Sequence, residues 1–171
     1  MSSKITVISG TNRQGSFTAL VSKKYVELLK NSGVEVDILF LEDLPRSIVE
    51  NEIYGRLSPD MEGVAKQYIM DVNKFVFVVP EYNGSYPGIV KLFLDALPPR
   101  IWAKKKAGII GVSSGAAGNL RGQEHLTGVL NYLKVNVHYN KPKLSHIEQT
   151  WENDPKIFDR LQEHADQMIE F

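Results

Sequence analysis

Three stretches of this sequence gather glycine, hydroxyl-bearing and amide side chains directly behind apolar runs. The first is Gly10-Thr11-Asn12-Arg13-Gln14-Gly15-Ser16-Phe17-Thr18. It leads into a segment with helical spacing, so the free N–H groups and positive dipole end of a helix would face it and favour an anion. Thr11, Ser16 and Thr18 add hydroxyls, and Arg13 adds a planar cation suited to phosphate. Neither G-x-G-x-x-G nor a Walker A pattern is present, so a single terminal phosphate fits better than a pyrophosphate or a triphosphate. Taken alone, these residues are equally consistent with Ser16 as a plain helix cap and Arg13 as a solvated surface charge.

The second stretch is Pro80-Glu81-Tyr82-Asn83-Gly84-Ser85-Tyr86-Pro87-Gly88. It is richer in Pro, Gly, Asn and Tyr than a connector needs. Asn83 both donates and accepts, exposed amides can read the polar edge of a heterocycle, and Tyr82 and Tyr86 could flank a ring. The plainer reading is a tight turn with packed tyrosines and Pro87 in the first turn of a helix. The third stretch is Ser113-Ser114-Gly115-Ala116-Ala117-Gly118. Its small side chains let another body approach the backbone, or make a flexible turn.

The elements that must carry these loops follow from hydrophobic periodicity. Residues 5–8, 75–79 and 107–112 are apolar on both alternations, as strands covered on both faces are. Residues 34–41 alternate apolar and acidic, and residues 135–139 alternate near the end of the chain, where an edge strand is expected. Helical spacing runs through 16–31, 59–72, 86–97, 119–133 and 154–169, with Gly33 placed as a left-handed cap and Pro155 at a helix start. Strands alternating with helices imply right-handed βαβ units and a doubly wound parallel sheet in the order 2-1-3-4-5. In such a sheet ligands bind at the carboxyl ends of the strands where the order reverses, which is where the three loops fall. Residues 41–60 form the longest irregular piece, a candidate mobile or interface loop.

Composition narrows the function. A chain of 171 residues suits one domain spanning 1–171. It has no Cys, which removes disulfides, thiolate metal sites and cysteine nucleophiles. The 20 basic residues equal the 20 acidic ones, which disfavours a nucleic-acid partner and a strongly acidic carrier. Met1-Ser2-Ser3-Lys4 opens no signal peptide, and no apolar run reaches the ~20 residues that span a bilayer, so a cytoplasmic location is expected. His125, His138, His146 and His164 show no i, i+4 pairing, so no metal is expected and packing or surface roles are favoured. Arg121, Gln123 and Glu124 read as a solvated or interface face. Lys104-Lys105-Lys106 reads as a solvated lead-in to a strand. Trp102, Trp151 and Tyr54 read as core or interface.

From residue 5 to about residue 136 the chain resembles the NADPH-dependent FMN reductases, a flavodoxin-like family that includes quinone, azo-dye and chromate reductases. The resemblance lies in G-T-N-R-Q-G-S-F-T, in P-E-Y-N-G-S-Y-P-G with Lys91 and Leu94-Asp95, and in G-V-S-S-G-A-A-G-N-L-R-G-Q-E-H-L. It implies a three-layer α/β sandwich that binds FMN. Thr11, Arg13, Ser16 and Thr18 would hold the phosphate. Pro80, Glu81, Tyr82, Asn83 and Gly84 would line the isoalloxazine, and Ser113, Ser114 and Gly115 would close its other edge. The chain departs from the family at Thr18 (usually Asn), Leu92 (often Asn) and Ala96 (often aromatic). The implied activity passes a hydride from NADPH or NADH through FMN to a small acceptor such as a quinone. It needs an open flavin face more than a catalytic triad, so no acid or base is nominated, although Glu81 and Tyr82 lie closest by inference. The alternative is a flavodoxin-type electron carrier without NAD(P)H oxidation. A homodimer or homotetramer is expected by resemblance.

Overall fold

The three apolar runs become the middle of a parallel sheet. In the computed structural model, which describes residues 4–49 and 57–171, these are β1 (Ile5–Ser9), β3 (Lys74–Pro80) and β4 (Lys106–Val112). Every residue in them except Lys106 is buried. The half-covered strand β2 (Val36–Phe40) pairs outside β1, and the order is β2-β1-β3-β4-β5, parallel throughout.

The edge differs from the five-strand expectation. Residues 135–139 yield only β5 (Asn136–Val137), which pairs with Lys106-Ala107. A sixth strand, β6 (Lys143–Leu144), pairs with Gly111-Val112 farther along β4. Between them Pro142 offers the ladder only its carbonyl, which accepts from Gly111 N at 2.9 Å, because proline has no N–H to donate.

Alternating side chains send the sheet's apolar residues to two cores. Phe75, Phe77, Val79 and Ile109 pack on one face with α2 (Pro59–Ala65), α3 (Gly88–Ala96) and α4 (Leu120–Tyr132). Val76, Val78, Ile110 and Val112 pack on the other with α1 (Phe17–Asn31) and α6 (Lys156–Glu170). A single-turn helix, α5 (Ile147–Thr150), precedes α6. The layers are thus helix, sheet, helix.

Local chemistry sets the helix ends. Ser16 Oγ accepts from Ala19 N at 3.2 Å, capping α1, and Gly33 beyond its other end has φ +78°. The expected 59–72 helix is α-helical only to Ala65 and continues as a π-helical turn, Lys66–Met70. α3 starts later than residue 86 because Pro87, at φ −63° and ψ 144°, is still extended. In the expected irregular piece 41–60, 3₁₀ turns form at Leu41–Asp43 and Arg46–Val49, and Leu41, Leu44 and Ile48 are buried in the core; residues 50–56 lie outside the described residues. Tyr54 lies outside the described residues. Trp102 is core, with its ring 5.4 Å from Phe75 and 6.0 Å from Phe93, and the partly buried Trp151 meets Phe158 at 5.2 Å.

Two polar expectations are corrected. Lys105 is buried rather than solvated, and its ammonium donates to the carbonyls of Ile69, Met70 and Val72 at 2.6, 3.0 and 2.5 Å. Lys106 donates to the carbonyl of Phe171. The helix C-termini that end near the start of β4 leave carbonyls unpaired, and the ammonium groups satisfy them. Gln123 is likewise buried and donates to Pro142 O at 2.9 Å. Among the described residues no helix is long and apolar enough to cross a membrane, and no His, Asp or Glu cluster could hold a metal.

Candidate functional site

β1 lies between β2 and β3, so the strand order reverses there, and the chain leaves β1 and β3 toward helices on opposite faces. The gap this opens at the carboxyl ends of the strands is a cleft of ≈ 350 Å³. Of the twelve residues expected at a site, Arg13, Thr18, Pro80, Glu81, Tyr82, Asn83, Ser113 and Ser114 line it. Gly84 and Gly115 line an adjoining cavity of ≈ 480 Å³ that shares Glu81, Asn83, Ser113 and Ser114 with it. Thr11 and Ser16 stand behind the wall, both buried.

The first loop presents backbone donors. Among the described residues, the N–H groups of Gln14, Gly15, Ser16, Phe17 and Thr18 reach no protein acceptor. They surround the N-terminus of α1, where the helix dipole adds positive potential, and Arg13 stands exposed beside them. The Ser16 hydroxyl oxygen is engaged as the helix cap. The Thr11 hydroxyl accepts from Arg13 N at 3.1 Å and pairs with the Tyr82 hydroxyl at 2.8 Å, joining the first loop to the second.

In the second loop Tyr82 and Ser85 close a two-residue turn, with Tyr82 N donating to Ser85 O at 2.8 Å and Ser85 N to Tyr82 O at 3.1 Å. The turn residues Asn83 and Gly84 both have positive φ, 51° and 76°, the geometry for which an Asn-Gly pair is suited. Among the described residues their own N–H groups have no protein acceptor, and Asn83 lines the cleft while Gly84 lines the adjoining cavity. The Arg121 guanidinium lies close over Gly84, where a Cβ would meet its Nη1 at 2.8 Å. Burial raises the Tyr86 phenol above its ordinary pKa, which keeps it protonated.

The third loop folds on itself. Ser113 Oγ donates to Gly115 O at 2.7 Å and accepts from Gly118 N at 2.9 Å. Among the described residues, the N–H groups of residues 114–117 reach no protein acceptor. Sequence reasoning missed Phe17, Val112, Ile147 and Glu148, which complete the cleft. Phe17 and Val112 adjoin recognised loops and were within reach. Ile147 and Glu148 come from beyond β6, held by Ile147 N donating to Ser113 O at 3.0 Å and Ser114 Oγ donating to Glu148 Oε1 at 2.9 Å. No local signal announces that contact.

These donors fit an anionic monophosphate at the first loop and a polar-edged ring system between the second and third. The fit rests on unpaired backbone N–H groups on all three loops, which would be costly to leave unmade in a dry site. Neither carboxylate of the cleft is free: Glu81 Oε2 accepts from Asn119 N at 3.2 Å, and Glu148 accepts from Ser114.

Comparison with known proteins bears on the same region. A family described as NADPH-dependent FMN reductase matches residues 3–147. The chain is 34% identical over 148 residues to a 2-hydroxy-1,4-benzoquinone reductase of Burkholderia sp, spanning 84% of this chain and 78% of that protein. It is 31% identical to an NADPH:quinone oxidoreductase of Arabidopsis thaliana, over 83% of this chain and 73% of that one. In three dimensions it is similar to the apo form of an NADH:FMN oxidoreductase, with a TM-score of 0.80, 19% identity, and coverage of 98% of this chain and 88% of that one.

Proposed function

The chain belongs to the NADPH-dependent FMN reductase family, and from that premise we propose that it acts as one FMN-binding domain that oxidises NAD(P)H and reduces a small acceptor of the quinone class. Bound FMN would supply the hydride-transfer chemistry between NAD(P)H and the acceptor, and a quinone would take up one hydride and one proton from water to become the hydroquinone. The chain's own residues bind and orient. Arg13 and the free N–H groups of residues 14–18 hold the phosphate at the α1 N-terminus. The N–H groups of Asn83 and Gly84, and those of residues 114–117, face the polar edges of the ring. Tyr82, tied to Thr11, spans the two ends of the cleft. Glu81 and Glu148 are bound into the scaffold, which fits an open site where solvent exchanges the proton. We further propose a cytoplasmic location and a homodimer or homotetramer.

The observation that carries this reading is the convergence of three sets of unpaired amides at the switch point of the sheet. The test is an absorbance titration with FMN followed by anaerobic NADPH and NADH. Flavin bands that shift on binding and bleach on either nucleotide support the reductase. Bound flavin that neither nucleotide bleaches converts the reading to an electron carrier, and absence of binding removes it.

A further inference from the structure

We infer that Asn119 is a positioning residue whose carboxamide sets the second loop against the third, and that FMN affinity depends on it; the inference rests on the FMN reading of the cleft. Asn119 does not line the cleft and is fully buried at the start of α4. Its backbone is left-handed, at φ 60° and ψ 33°, a conformation that is unfavourable for most residues and that Asn adopts more readily.

What the position holds is the end of β3. Asn119 Nδ2 donates to Val79 O at 3.0 Å and to Pro80 O at 2.9 Å, and Asn119 N donates to the Glu81 carboxylate at 3.2 Å. Three successive residues leading into the Tyr82–Ser85 turn are therefore fixed by one residue of the third loop. Ser113 and Gly118 fold that loop on the other side. The fit is tight: a Cβ at Gly122 would overlap Asn119 Oδ1, and that oxygen is buried with no partner. A structural cap would be served by Gly, which takes this conformation without strain. Only a short side chain with two N–H donors both fits here and binds two adjacent carbonyls, and Asp would present an acceptor to both.

The experiment compares wild type, Asn119→Gly and Asn119→Asp by FMN dissociation constant, read from flavin fluorescence between pH 8 and 5.5. Amide hydrogen exchange and melting temperature are measured on the same proteins without flavin. Asn119→Asp should bind FMN about tenfold more weakly than wild type at pH 8. That deficit should narrow as the pH falls, because a protonated carboxyl can donate to one of the two carbonyls. Asn119→Gly should show a similar deficit at every pH, and faster exchange of the paired amides of Glu81, Tyr82 and Ser85. Affinity equal to wild type in both variants, or unchanged exchange at Glu81, Tyr82 and Ser85, overturns the inference, even where melting temperatures shift. A wild type that does not bind FMN overturns the reading of the cleft instead, and the exchange data still decide whether Asn119 fixes the loop.

Discussion

The two ends of this parallel sheet treat the same problem in opposite ways. Helices that flank parallel strands leave N–H groups unpaired at one end of the sheet and carbonyls unpaired at the other. At the amino end the chain answers with its own side chains. Lys105 serves the carbonyls of Ile69, Met70 and Val72, Lys74 serves Met168 and Ile169 at 3.1 and 2.6 Å, and Lys106 serves Phe171. Burial lowers the pKa of Lys74 and Lys105, which marks how far the ammonium groups have left water. At the carboxyl end, among the described residues, the amides of residues 14–18, 83–84 and 114–117 are left without protein acceptors. The lesson is that one end is closed for stability and the other is left open for a ligand.

That contrast can be broken at the closed half first. His164 on α6 is fully buried, its Nδ1 2.8 Å from the Tyr25 hydroxyl. Burial, and secondarily the neighbouring His138, lower its pKa to about 3. The depressed value means the fold prefers the neutral ring, so the stability is whole above the unfolded value of about 6.5 and is lost as the pH falls from there toward 3. Between pH 7 and pH 4 this should remove about 3 kcal/mol. Urea titrations of wild type and His164→Gln across that range should show the difference between them shrinking at acid pH; a constant difference would sink the assignment.

Next in size is Lys105→Met, which keeps the aliphatic stem and strands three carbonyls. It should cost about 2–3 kcal/mol and lower the melting temperature by about 4–12 °C, with FMN affinity unchanged. A loss of flavin binding at full stability would erase the distinction between the ends.

At the open end the order of effects reverses. Arg13→Ala should weaken FMN about 10- to 100-fold while the apo-protein melts within a degree or two of wild type, since the guanidinium is exposed. Calorimetric titration decides it, and unchanged affinity would reject the phosphate assignment. Ser16→Ala is the smallest change and sharpens the contrast most finely. It removes the α1 cap and should cost about 1 kcal/mol of stability. If chemical denaturation finds no loss, the hydroxyl is not working as a cap.

Much of this was legible because the buried strands are continuous apolar runs. Their ends fix where loops begin, and parallel pairing puts all those ends on one side. The Asn83-Gly84 pair even carried its turn type in its letters. The lysines were illegible for a physical reason: three in a row read as solvated, and only the carbonyls of Ile69, Met70, Val72 and Phe171, brought close by tertiary packing, engage the ammonium groups of Lys105 and Lys106. The division of the edge between β5 and β6 was hidden because two-residue strands leave no periodicity to read.

By itself, then, the sequence determined the layers, the strand order and that three unusual loops meet at the carboxyl ends of the strands, since these depend on short-range periodicity and on a topology with few alternatives. Tertiary structure alone decided that Ile147 and Glu148 close the cleft and that Glu81 and Glu148 are bound into the scaffold. It also decided that Asn119 reaches across to three residues about 40 positions away. Those contacts join segments distant in the chain, and only the packed sheet brings them within hydrogen-bonding distance.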